Sequence, residues 1–68
     1  MKWSLCLYHG DGSISNSIEM ETDKVPMIGE YISCEDMEYA QFKVTNVTHN
    51  IQTENKTYMN TEVYALKE

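Results

Sequence analysis

Apolar and polar residues alternate with a two-residue period along most of this chain, the pattern of strands with one face on a core and the other in water. From Lys2 to His9, Trp3, Leu5 and Leu7 share one face, and Lys2, Ser4, Cys6 and Tyr8 share the other. Gly10-Asp11-Gly12-Ser13 is a dense turn signal, after which Ile14, Asn16, Ile18 and Met20 alternate with Ser15, Ser17, Glu19, Glu21 and Asp23. The two runs predict a hairpin with one wet face. Pro26 cannot donate to a central ladder and holds Val25 extended, so the residues from Asp23 to Met27 are expected to connect rather than pair.

A third strand is predicted from Ile28 to Cys34, with Ile28, Ile32 and Cys34 in phase and Glu30 on the same face. The acidic residues that follow read as a loop with one helical turn, since Ser33 and Asp36 match a loose capping pattern in a segment too short for a durable helix. The fourth strand, Ala40 to Gln52, changes phase: Ala40, Phe42 and Val44 share one parity, and Val47, His49 and Ile51 share the other. One extra residue re-aims the alternation, so a bulge or sharp bend near Thr45-Asn46 is expected to bring both sets to the core. After a turn at Thr53-Glu54-Asn55-Lys56, a fifth strand runs from Thr57 to Leu66, its inward face being either Met59, Val63 and Ala65 or Tyr58, Tyr64 and Leu66. Five sequential strands with short connections predict an all-β fold, a five-stranded antiparallel meander forming a small, partly open barrel, SH3-like or alternatively OB-like.

Composition narrows what such a barrel does. The 68 residues allow one domain, residues 1–68, with a single small core anchored by large side chains such as Trp3 and Phe42. Eleven acidic residues stand against five lysines and no arginine, a net charge of −6 that repels phosphate backbones. Direct nucleic-acid binding is therefore not expected, although Tyr8, Tyr31, Tyr39, Tyr58 and Tyr64 have faces on which bases stack; the tyrosines are expected to pack edges or a partner. The apolar patch from Trp3 to His9 is too short for a signal peptide or a membrane span, which places the chain in the cytoplasm with Cys6 and Cys34 reduced. Without a secretion signal the sequons at Asn46 and Asn55 carry no weight.

Candidate chemistry is sparse. Cys6, His9, Cys34 and His49 are zinc-type ligands, but residues three apart on a strand face opposite ways, so Cys6-x-x-His9 does not make a site and no metal or cofactor is expected. Glu30 and His49 share phase with apolar neighbours and are expected to be buried polar residues that form a structural pair. With no nucleophile, Gly-rich loop or third orienting group beside them, an enzyme is not expected. Glu19, Glu21 and Asp23 project from one strand face at intervals of about 6.8 Å, comparable to the phosphate spacing of a nucleic-acid strand, and Glu35, Asp36 and Glu38 extend the acidity. Such a stripe suits a basic, nucleic-acid-binding groove on a protein partner.

Val25-Pro26-x-x-Gly29-Glu30-x-Ile32 followed by Phe42-Lys43-Val44-x-x-Val47-x-His49 resembles a pattern in short bacterial and bacteriophage proteins with small β-barrel folds, over about 25 of the 68 residues. The resemblance implies a strand, an acidic loop and a bent strand, with Glu30 and His49 as the polar members. It also implies a phage or prophage protein that binds a host component. The resulting expectation is a noncatalytic acidic protein-binding module. Two alternatives stand beside it: a self-associating structural or assembly module, dimeric through an exposed strand edge, and a small enzyme or ligand carrier using Glu30 and His49.

Overall fold

The computed structural model describes every residue except Tyr39, and except the side chain of Asp36. The roles given to Tyr39 and to Asp36 above lie outside the described residues. Five strands form one sheet that curls into a half-barrel: β1 Lys2–Tyr8, β2 Ile14–Glu21, β3 Tyr31–Cys34, β4 Ala40–Gln52 and β5 Thr57–Lys67. A 3₁₀ turn, Glu35–Met37, follows β3, and Glu38 closes it in the left-handed region with φ 56°. Cys34 occupies the N-cap position and makes no side-chain capping hydrogen bond there, and the expected capping by Ser33 with Asp36 involves a side chain outside the described residues.

The all-β, partly open barrel is as the alternation predicts, but the sheet is not an antiparallel meander. Its order is β2-β1-β5-β4-β3, with β1 beside β5 in parallel: Trp3 faces Thr61, Leu5 faces Val63 and Leu7 faces Ala65. β1, β3 and β5 therefore run one way and β2 and β4 the other. The cause lies in residues 22–30, which leave β2 on one edge and cross one end of the half-barrel to start β3 on the opposite edge. β4 and β5 then build back inward until β5 docks on β1. The crossing is fastened by Trp3, whose indole Nε1 donates to Thr22 Oγ1 at 2.7 Å, and by Val25, which packs on the core.

The core combines Trp3, Leu5 and Leu7 from β1, Phe42 and Val44 from β4, Val63 and Ala65 from β5, and Cys34 from β3. Each fully buried large side chain, Phe42 and Leu7 among them, contributes about 1.5–3 kcal/mol of transfer free energy. The inward face of β5 is thus Thr61, Val63 and Ala65, while Met59 is the extra residue of a bulge opposite Asn50 and Ile51 and is exposed.

The predicted bulge in β4 is present. Val44 faces Ala65 and Asn46 faces Tyr64, leaving Thr45 unpaired, so Phe42, Val44 and Val47 all reach the interior. A second bulge, at Ser15, separates the Leu7–Asn16 and Tyr8–Ile14 pairs and turns Ile14 out to solvent, away from the face it shares by parity with Ile18 and Met20.

The third strand begins later than its pattern suggests. Met27-Ile28-Gly29-Glu30 is a tight turn closed by Glu30 N donating to Met27 O at 3.0 Å, with Gly29 at φ 94°, a conformation that a Cβ would strain. Ile28 sits at the corner of this turn and is exposed rather than in the core.

Candidate functional site

Three surfaces carry the polar chemistry of the chain. The first is the convex face. Glu19 and Glu21 lie exposed on the outer face of β2, an edge strand, and Asp23 follows just past its end. Ser4 Oγ donates to Glu19 Oε1 at 2.7 Å, which fixes that carboxylate. In the next strand Glu62 stands opposite Ser4, and opposite Thr48 on β4, so carboxylates from two strands share one transverse row. Glu62 accepts from Asn50 Nδ2 at 2.9 Å and from the Tyr64 hydroxyl at 2.5 Å. The hydrogen bond to Glu62, with desolvation second, pushes the Tyr64 phenol up to about 12. Tyr64 also stacks on Tyr8 with ring centroids 6.0 Å apart, and Cys6, opposite Tyr64, is buried on this outer face.

Glu35 and Glu38 are exposed after β3, at the other edge of the sheet from β2. The acidic residues are thereby divided into a β2 group and a β3 group rather than joined in one neighbouring patch. Asp11 stands apart in the first hairpin turn, its carboxyl held below the ordinary range by the Ser13 hydroxyl and then by the Ser13 N–H.

The second surface lies on the concave side, where β4 and β5 run on beyond their neighbours. Thr61 is fully buried, and its Oγ1 meets His49 Nδ1 at 2.9 Å and the Tyr58 hydroxyl. The expectation that His49 is buried fails: it faces inward by parity but is exposed, because β3 pairs with β4 only as far as Lys43 and β1 reaches this row only with Trp3, near its start and on the far side of Thr61. Ile51, two residues further, is 57% exposed for the same reason. A Thr-His contact has the elements of an activated hydroxyl, yet Thr61 Oγ1 is sealed from solvent and already engaged on both sides. The cluster satisfies a buried hydroxyl.

The third is an open groove of about 370 Å³ lined by Lys24, Val25, Pro26, Met27, Glu30 and Tyr31. Glu30 is exposed here, not buried, and its Oε1 accepts from Met27 N at 2.6 Å, so it clamps the turn that its own N–H closes. It does not pair with His49. Glu30 O accepts from Val44 N, and His49 lies five residues further along β4, roughly 15 Å away in an extended strand.

Cys6 and Cys34 are not joined to each other and lie on opposite faces of the sheet, Cys34 in the core and Cys6 beneath the tyrosine stack. Among the described residues no group of three or more His, Cys, Asp or Glu could hold a metal ion. Among the described residues, no helix is long and apolar enough to cross a membrane. Sequence reasoning missed Glu62, Tyr64 and Asn50 as a linked set, since their common face depends on the inward parity of β5. No family model, curated protein or solved structure matches this chain.

Proposed function

We propose that this chain is a noncatalytic acidic protein-binding module whose β2 face meets basic side chains of a protein partner. The carrying observation is that Glu19 and Glu21 stand exposed on one side of an edge strand, about 6.8 Å apart, with Glu19 oriented by Ser4. Asp23 and Glu62 add negative charge beside them, and the whole chain carries −6. Exposed carboxylates of one sign steer association with a basic surface and weaken as salt screens them. A partner surface that takes nucleic acid fits the same spacing, and a phage or prophage protein directed at a host component fits this mode of action.

Capture from cell extract on the immobilised chain, with Glu19→Lys/Glu21→Lys/Asp23→Lys as comparison, tests the reading. Specific proteins retained at about 0.05 M salt by the wild type, lost to the triple variant and released near 0.5 M support it. Retention by both alike, or by neither, overturns it.

A further inference from the structure

We propose that the free edge of β4, residues 45–52, is a homodimer interface on which a second copy lays its own β4 antiparallel, across a two-fold axis near His49. β3 covers β4 only at Ala40–Lys43, and Gly29 and Glu30 add bonds to Val44. Beyond that point, among the described residues, no backbone group on this side of β4 has a partner, so a row of donors and acceptors faces outward.

The occupant follows from the side chains. Residues 44–53 form the longest run without Asp, Glu, Lys or Arg in a chain otherwise rich in charge. Edges are ordinarily guarded by charge, shortness or Pro. β2 carries Glu19 and Glu21, and β3 is four residues long; the β4 edge has none of these guards. A basic partner finds no carboxylate there, whereas an identical uncharged strand meets no like charge.

The register is self-complementary. An antiparallel pair centred on His49 sets Val47 opposite the partner's Ile51 on the same face, and Thr45 opposite the partner's Thr53. Ile51, 57% exposed in one copy, gains an aliphatic cross-strand neighbour twice over through the two-fold. The incoming strand runs in line with β3, so its end abuts the Met27-Ile28 corner, where both side chains are more than half exposed. One contact thus covers apolar groups from two separate places in the chain. It leaves the β2 face open, so the dimer presents two acidic faces.

Sedimentation equilibrium of the full chain, with Ile51→Lys, Thr48→Lys and Ile14→Lys variants, tests the interface. The wild type is expected to reach twice the chain mass of 7.9 kDa and to dimerise more tightly at higher salt, because net charge of one sign is screened. That trend is the reverse of the one expected for a basic partner. Ile51→Lys and Thr48→Lys should each weaken dimerisation at least tenfold while keeping the dispersed amide spectrum of the folded chain, and Ile14→Lys on β2 should not. A wild type monomeric at about 0.5 mM, or a dimer indifferent to both β4 variants whatever the effect of Ile14→Lys, overturns the proposal. Should one β4 variant fail to fold, the other gives the same reading.

Discussion

Replacing Thr61 separates the worth of a buried hydroxyl from that of the volume it occupies. Thr61 is fully buried, and its Oγ1 has two partners, His49 and Tyr58, both of which reach solvent. Thr61→Val exchanges the hydroxyl for a methyl of similar size. It removes two hydrogen bonds worth about 1 kcal/mol each net, and it buries a methyl worth about 0.8 kcal/mol. His49 and Tyr58 can take water in place of Thr61, so neither is left as an unsatisfied buried group. The expected loss is therefore about 1 kcal/mol, or roughly 4–8 °C in Tm for a domain of this size. Thr61→Ala loses the same bonds and also the buried methyl, about 3 kcal/mol in all before cavity effects. Thermal and urea unfolding at one fixed protein concentration measure both, and nitrogen chemical shifts of the His49 ring report the bond itself. A valine variant as stable as the wild type, with an unchanged Nδ1 resonance, would mean that the hydroxyl contributes nothing and Thr61 acts only as a small β-branched filler.

Further outcomes follow from the same geometry. Leu7→Ala should cost about 2–5 kcal/mol, because the side chain is fully buried, whereas Ile14→Ala should stay within about 0.5 kcal/mol; equal losses in urea titrations would contradict the Ser15 bulge. Tyr64, held protonated by Glu62, should ionise near 12, so its contribution to stability is complete below the ordinary tyrosine value of 10 and lost as pH climbs from there. Glu62→Gln should return that step toward 10 in an absorbance titration at alkaline pH, and an unmoved step would remove Glu62 as the cause. Lys56 sits in the left-handed region at φ 52° in the β4–β5 turn, so Lys56→Gly should stabilise by up to about 1 kcal/mol, seen as a Tm rise of a few degrees; a fall in Tm would show that the residue is not strained there.

Much of the local structure could be read from alternation alone, because a strand with one buried face leaves a period of two. Trp3, Leu5 and Leu7 mark the inner face of β1, and the change of phase between Val44 and Val47 locates the extra residue at Thr45. Alternation assigns a face but not a neighbour. Nothing in the pattern distinguishes β5 docking on β1 from a meander, since the nine-residue connection at residues 22–30 is long enough to pass around one end of the half-barrel. His49 and Ile51 have the parity of core residues and lack the adjoining strands that would cover them. Glu30 takes part in a turn made possible by Gly29, and Ile28 is exposed at the corner of that turn. The exposed carboxylates of β2 were readable because exposure follows directly from parity. The Glu62, Tyr64 and Asn50 set was not, because it needs the pairing of β5 with β4.

Which edges are free, and so which surfaces are open to partners, depends on β1 lying beside β5 in parallel. Nuclear Overhauser contacts between the two strands measure this most directly. The account predicts contacts that advance together, Trp3 with Thr61, Leu5 with Val63 and Leu7 with Ala65. Contacts that advance on one strand while receding on the other, such as Leu5 with Ala65 together with Leu7 with Val63, or no contacts between these strands at all, would contradict it.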